Sequence, residues 1–381
     1  MITEKLYYKD AYIKEFCAQV LQCEKCDKGF KVILDATAFF PEAGGQPCDI
    51  GTIGEATVFD VQIDKDEIVY HYTDKPLEIG QKAECKLNFE RRFSYMQNHT
   101  GEHIVSGIAN RLFGCQNVGF HLSNELATVD FDIVLTREQI DQIEVLANEA
   151  VWKNYAVNCF FPDDEQLKNI NYRSKKELEG AIRLVDIENT DMCACCAPHV
   201  AKTGEIGFIK LLDFERMRSG IRIVMKCGSY ALEDYQNKYA NIREISALLS
   251  SKQEIAAQSV KEMLEKLNAE QQKSATLKKR YIDRLIASAD ADNPVVFEDE
   301  LDMKELQLLA DGLHKKLGVL SAAFSACEGG YHFAMCCDDS LLQECFARFK
   351  SQFTVKGGGR NGMVQGTVNA DKVSIENFFK R

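Results

Sequence analysis

What this chain lacks narrows its function before any motif is read. No run of about 18 apolar residues occurs in its 381 residues, so no membrane-spanning helix is expected. The opening Met-Ile-Thr-Glu-Lys-Leu-Tyr-Tyr has neither an apolar core nor a small-residue cleavage site, so no secretory signal is expected. A positive charge excess is also missing. Against 46 basic residues stand 58 acidic ones, a formal net charge of −12. That argues against broad nucleic-acid binding through a basic surface, and leaves room for a local basic groove on a structured RNA. No internal repeat or low-complexity tract is present. Residues 230–289 contain neither Gly nor Pro, so nothing there interrupts a helix.

Apolar content is ordinary for a globular protein, and the length allows two to four domains. The 15 cysteines are unevenly spaced. Without a signal segment they are expected to be free thiols in a reducing cytosol, mostly core filler with a few left for metal.

Residues 1–90 read as a β-rich, barrel-like domain. Lys31-Val-Ile-Leu34, Ala56-Thr-Val-Phe59 and Glu67-Ile-Val-Tyr-His-Tyr72 are strand-like runs. From Arg91 the pattern turns helical, with Ile104, Val105, Ile108 and Leu112 on one face and Gly114 as a stop. Leu126–Asp132 reads as a strand, about Thr136 to Asn154 as an amphipathic helix, and Gly204–Lys226 as strands. Residues 91–228 therefore predict an α+β domain. Residues 229–290 predict one long helix, or a hairpin broken near Ser250-Ser251. Its 3/4-type apolar spacing fits a homodimer seam or internal packing equally well. Residues 291–381 predict a small α/β domain carrying Lys356-Gly-Gly-Gly-Arg360. The fold class as a whole is α+β.

The chemistry concentrates in Asn98-His-Thr-Gly-Glu-His103 and Cys195-Cys-Ala-Pro-His199. His99 and His103, four apart on a helix, project from one face. Both imidazoles can then reach one ion at ~2.0–2.1 Å. Cys195 and His199 offer a second pair of the same spacing, and nitrogen and thiolate donors select zinc over magnesium or calcium. Four protein ligands would make a closed structural site. A catalytic site keeps a position open for water, whose pKa then falls to ~7. Glu102 is either a general base or a solvated residue of the helix face. Cys193 and Cys196 are competing ligands on the same loop. Cys23-Glu-Lys-Cys26 is a lone pair of thiols read as core or surface.

At these residues the chain resembles the AlaX-type trans-editing proteins, free-standing relatives of the alanyl-tRNA synthetase editing domain. The resemblance runs through Phe40-Pro-Glu-Ala-Gly-Gly-Gln-Pro47, the stretch Arg91–His103, Val118-Gly-Phe-His-Leu-Ser123, Cys195 to Val200 and Thr203-Gly-Glu-Ile-Gly207. The Gly-Gly-Gly-Arg end is similar to the C-terminal domain of alanyl-tRNA synthetases and of DHH-type phosphoesterases, and indicates the long form. The Asp-His-His motif of the latter is absent. Threonyl-tRNA synthetase editing domains share the ligand pattern, and the Gly-rich loop and the Gly-Gly-Gly-Arg end favour the alanine system.

The resemblance implies zinc-dependent hydrolysis of the ester that joins a wrong amino acid, serine or glycine, to tRNA(Ala). It brings nucleotide and ATP binding as further expectations. It implies His99, His103, Cys195 and His199 as metal ligands and Thr100, Glu102 and His121 as catalytic candidates. Gly44, Gly45, Gln46, Arg91 and Arg360 are the substrate-binding candidates. A site that bonds the serine hydroxyl would spare alanine. Two departures stand out. Cys195-Cys-Ala-Pro-His199 replaces the usual Cys-x-Gly-Thr-His, and Arg360-Asn-Gly-Met-Val-Gln365 replaces Arg-Pro-Asp-Met-Ala-Gln.

The expected partner is the acceptor end of tRNA(Ala), met by Lys278-Lys-Arg280 with Arg284, by Lys356 with Arg360, and by Arg91 with Arg92. Loss of residues 230–381 is expected to weaken tRNA binding more than cleavage. The competing reading is a non-catalytic tRNA- or synthetase-associated module with a structural zinc.

Overall fold

The computed structural model describes residues 3–174, 181–290, 292 and 294–380. The chain divides into two compact units, Met1–Arg243 and Glu244–Arg381.

The first unit opens with β1 (Glu4–Lys5), which pairs in parallel with β4 (Ala36–Thr37). Six further strands close a barrel: β2 (Glu15–Cys26), β3 (Gly29–Leu34), β5 (Gly51–Ile53), β6 (Ala56–Ile63), β7 (Val69–Thr73) and β8 (Lys82–Leu87). Their order around it is β2-β3-β7-β6-β5-β8. In β8 the charged residues face out and Ala83, Cys85 and Leu87 face in, the period of two that a half-buried strand requires. Val20, Val32, Leu34, Val58 and Val61 fill the interior. The strand-like runs Lys31–Leu34 and Ala56–Phe59 fall in β3 and β6, and Glu67–Tyr72 overlaps β7 from Val69 on.

Beyond it lies α1 (Phe89–Phe113). Asn88 caps it by accepting the Arg91 N–H, and Gly114, at φ 70°, ends it in the left-handed conformation. Every residue from Ser94 to Ala109 is buried, so α1 is a central helix with no wet face. Leu112, expected on the buried face, is 38% exposed in the last turn. Two mid-helix glycines let neighbours approach closely. A Cβ on Gly101 would lie 2.4 Å from Cys227 Sγ, and one on Gly107 2.5 Å from the Thr190 carbonyl oxygen.

Around α1 stand β9 (Asn117–Leu122), β10 (Ala127–Phe131), α2 (Arg137–Trp152), β11 (Val157–Phe160), α3 (Asp164–Asn169), β12 (Leu184–Ile187) and β13 (Asp191–Ala194). The long hairpin β14 (Ile209–Met217) and β15 (Gly220–Cys227) follows. Antiparallel sheets form in the orders β14-β15-β10-β9 and β11-β12-β13. Arg92 ties the helix to the barrel side. It is wholly buried, pairs through Nε and Nη2 with both Asp49 oxygens, and donates to the Ala11 and Ala38 carbonyls.

Helix α4 (Gly228–Leu248) leads to the second unit. The chain leaves the helix there with Ser250 at φ 50° and resumes as α5 (Ala256–Ser288), where a break near Ser250-Ser251 was expected. The elements β16 (Val295–Phe297), α6 (Met303–Leu317), β17 (Ser321–Cys327), β18 (Gly330–Cys336), α7 (Asp339–Gln352), β19 (Thr354–Gly358), β20 (Met363–Asn369) and α8 (Lys372–Phe379) complete it. Its sheet runs β16-β17-β18-β20-β19. One face buries Phe324, Phe333 and Phe349, and the other buries Ala323 and Ala334 against Leu306 and Leu309. The whole is mixed α and β. Among the described residues no helix is long and apolar enough to cross a membrane.

Candidate metal centre

Helix α1 presents His99 and His103 one turn apart, with ring centroids 5.6 Å from each other. The loop after β13 brings His199 to 5.0 Å and 4.8 Å from those two rings. Cys195 Sγ lies 3.5 Å from His99 Nε2 and 3.4 Å from His199 Nε2. The four donor atoms lie within 4.8 Å of one another.

The three rings share one feature: Nδ1 is always turned to a protein partner. His99 Nδ1–H donates to Gln46 Oε1 at 2.9 Å, and His103 Nδ1–H to Asp191 Oδ2 at 3.1 Å. His199 Nδ1 meets Thr100 Oγ1 at 3.0 Å. Such a bond fixes ring orientation and turns each Nε2 toward the centre of the cluster, where Nε2 of His99 and of His199 meets Cys195 Sγ. Burial, and then the neighbouring His103 and His99, push the His199 pKa well below its usual value, which keeps the ring neutral. Burial acts the same way on His103, but its Asp191 bond together with the charges of Cys193, Glu102 and Asp191 outweighs it and the pKa rises. Three imidazole nitrogens and one thiol form a donor set that zinc accepts, so the residues fit that metal.

Asp191 is itself held. Arg173 grips it with Nε on Oδ1 at 2.7 Å and Nη2 on Oδ2 at 2.8 Å. The ligand loop is held by Arg183, whose Nη1 donates to the Cys195 and Ala197 carbonyls, both at 2.9 Å. Ala197, in the Ala-Pro departure, is fully buried against Tyr7 and Phe40.

A cavity of about 660 Å³ opens over this cluster. Its floor includes the buried His99, His103, Asp130 and Cys193, with Cys195 beside them. Its rim includes the exposed Val118, His121 and Phe161, together with Gly44 and Gly45. Gly45 is at φ 82°, and a Cβ there would stand 2.1 Å from the Phe120 carbonyl oxygen, so only glycine lets this loop cross β9. Gly44 is also left-handed, beside Cys196.

The remaining sequence candidates fall elsewhere. Thr100 is fully buried behind His199 and also accepts the Val200 N–H. Gln46 is fully buried behind His99. Neither lines the cavity. Glu102 does not line it either. The reading of Glu102 as a solvated helix-face residue is overturned, because α1 has no solvated face at that point. The Glu102 carboxylate is 1% exposed and accepts from Ser106 and Asn117. Arg91 stacks on Tyr95 and donates to the Cys48 carbonyl and to Asn124, outside the cavity. Arg360 belongs to the second unit, where it is exposed in the turn between β19 and β20.

Cys193 forms an overlapping set with His103 and Asp191, whereas Cys196 joins neither set. Burial pushes the Cys196 thiol up to about 11. Cys23 and Cys26 lie along β2, where residues three apart face opposite ways, and Cys23 accepts from the Leu77 N–H. The sequence reading missed Asp191, Arg173 and Arg183. Asp191 stands four residues before Cys195, just outside the Cys195–His199 segment that was singled out. Arg173 and Arg183 carry no local signal.

The family described as "Threonyl and Alanyl tRNA synthetase second additional domain" matches residues 182–224, the segment that holds Cys195 and His199. The alanine–tRNA ligase of Ignicoccus hospitalis is 30% identical over 82% of this chain and 35% of its own length. The alanyl-tRNA editing protein Aarsd1 of Danio rerio is 26% identical over 98% of this chain and 96% of its own. Its Mus musculus counterpart is 25% identical over 95% and 93%. The chain thus spans about a third of that ligase and nearly all of these two editing proteins. A synthetase editing-domain match covers Cys195 and His199, and two alanyl-tRNA editing proteins are similar to this chain over nearly its whole length, so the comparisons support an AlaX-like alanyl-tRNA editing protein.

Proposed function

We propose that this protein hydrolyses, in trans, the ester bond of tRNA(Ala) charged with serine or glycine. The observation that carries the reading is the placement of the His/Cys cluster. Three of its four members line a 660 Å³ cavity, while His199 stays behind them. A structural zinc is normally closed off by its ligands, whereas a catalytic one faces a space that substrate can enter. That supports the enzyme over the non-catalytic module.

Held by three of His99, His103, Cys195 and His199, with the fourth displaced to open a position, zinc would supply Lewis acidity toward an ester carbonyl and water. The protein's own part is positional. Gln46, Thr100 and Asp191 hold the three Nδ1 atoms, and Arg183 holds the loop that carries Cys195. The cavity admits an aminoacyl ester and its sugar, while the buried floor limits water around the carbonyl. The leaving group is a ribose hydroxyl, so no strong general acid is needed. Hydrolysis in water runs downhill, and the reaction needs no ATP. His121, exposed on the rim, is the catalytic candidate that faces the substrate directly.

Affinity for tRNA comes, in this reading, from the second unit, with Lys279, Arg280, Lys356 and Arg360 exposed on it. A second copy pairs through residues 230–289, on the strength of the exposed Val260, Met263, Leu264 and Leu267 of α5. The protein works in the cytosol, where its free thiols stay reduced.

The test is release of amino acid from Ser-, Gly- and Ala-tRNA(Ala) by the purified protein. Loss of serine or glycine with alanine retained is the expected result. Equal retention of all three by folded, zinc-loaded protein would overturn it.

A further inference from the structure

An aminoacyl group is small, and the cavity of about 660 Å³ has room for considerably more. Pockets of roughly 300–1,000 Å³ take whole drug-sized ligands. The His and Cys side chains stay on the floor, while the rim carries exposed apolar groups beside His121. Phe161 is 48% exposed and Val118 60% exposed, and both border the same opening. Exposed apolar groups gathered around a cavity mark a binding surface.

Phe161 is also braced. Tyr8 meets it edge to face, with ring centroids 5.4 Å apart and an interplanar angle of 77°. Tyr8 is backed in turn by the Arg183 guanidinium, 5.4 Å from its centroid. Tyr8, like Cys195 and Cys196, packs against the buried Tyr7, Phe40 and Ala197. The Arg183 that steadies Tyr8 is the same residue that holds the Cys195 carbonyl. Arg183 therefore links the aromatic wall to the loop that carries Cys195. A solvent-facing aromatic ring set at a fixed distance from a catalytic floor is what a flat, unpaired nucleobase needs for stacking.

We propose that Phe161, braced by Tyr8 and Arg183, is the stacking platform for the terminal adenine of the charged tRNA. This rests on the deacylase reading and adds to it the recognition of the base next to the scissile ester. Stacking is sequence-tolerant, so the platform places the acceptor end while tRNA identity is read elsewhere. Phe161 acts here as a binding and positioning residue, not on the reacting atoms.

The experiment uses the full-length, zinc-loaded protein and a non-hydrolysable probe, adenosine carrying serine in amide linkage at its 3′ position. Binding is measured by calorimetry for the wild type, Phe161→Ala, Phe161→Leu and Phe161→Tyr. The expected result is binding roughly tenfold weaker for both aliphatic variants and near wild-type for Phe161→Tyr. A second readout places 2-aminopurine at the tRNA terminus, where stacking quenches its emission. The wild type and Phe161→Tyr should quench it, and Phe161→Ala should not. Deacylation by Phe161→Ala should show a raised KM with kcat retained. Equal probe affinity across the four proteins would overturn the platform, as would a probe that the wild type fails to bind. Neither result touches the deacylase reading, which falls only if the wild type cleaves no mischarged tRNA(Ala).

Discussion

Each of the three candidate imidazoles is oriented by one bond to a residue that no spacing rule connects to it. His99 and His103 were legible because a helix repeats every 3.6 residues and the ligands lie one turn apart. Asp191, the partner of His103, stands 88 positions away and is brought in only by the packing of β13 on α1. Replacing it with Asn removes the carboxylate and leaves Arg173 without its anion. Zinc affinity should fall about 10- to 100-fold, measured by competition with a chromogenic chelator. An unchanged affinity would mean that Asp191 does not orient His103.

His71 makes a separate prediction about acid. It is wholly buried in the barrel, between Thr37 Oγ1 and the Val32 carbonyl, and burial lowers its pKa to about 4. The unfolded chain takes up a proton near pH 6.5, and the folded protein only near 4. Stability from the neutral ring is therefore complete above about pH 6.5 and is lost as pH falls from there to about 4. The loss is on the order of 3 kcal/mol. Urea unfolding at pH 7.5 and 5.0 should show a smaller acid loss in His71→Gln than in the wild type.

Among the elements, α1 matters most. Its start, its stop and its Ile104-Val105-Ile108 contacts were readable from the sequence, but its full burial was not. Ser94, Asn98, Thr100, Glu102 and Ser106 look like a wet face until the barrel side and the β14–β15 hairpin are packed around them. Polar residues inside a helix bundle must find partners, and these do, which is how a helix can carry a polar site at its centre. The glycines make the packing possible. Gly101→Ala should gain helix propensity of up to about 1 kcal/mol yet lose about 1–3 kcal/mol by crowding Cys227 Sγ. The net loss of stability should shrink in a Cys227→Ala background, and a double-mutant cycle by urea unfolding measures the coupling. Arg92→Ala should cost more, about 3–5 kcal/mol, because Asp49 is then buried unpaired. Full stability of Arg92→Ala would contradict a structural role for that pair.

For the molecule as a whole, the sequence led to a barrel-like domain over residues 1–90 but not to the strand pairing that closes it. Barrel closure through β2 and β8 joins Glu15 to Lys86, a pairing that no local pattern announces. The chain divides into Met1–Arg243, which holds the His/Cys cluster, and Glu244–Arg381, which holds the exposed Lys356 and Arg360. An acidic protein can bind tRNA if a few cations are suitably placed. Reversing Lys356 and Arg360 to Glu should weaken binding to tRNA(Ala) and flatten its dependence on salt, with kcat at saturating substrate retained. Filter binding at several salt concentrations reads both. Sedimentation equilibrium of the wild type and of a Met263→Lys, Leu267→Lys variant reads self-association, and the variant should shift to monomer.

The central claim is that cleavage takes place at the His99, His103, Cys195, His199 cluster. It is tested most directly by timing serine release from Ser-tRNA(Ala) with untreated, chelated and zinc-restored protein, alongside folded His103→Ala. Cleavage should vanish on chelation, return with zinc and be absent in His103→Ala, while Ala-tRNA(Ala) stays intact throughout. Full-rate cleavage by chelated protein, or by His103→Ala, would place the chemistry elsewhere.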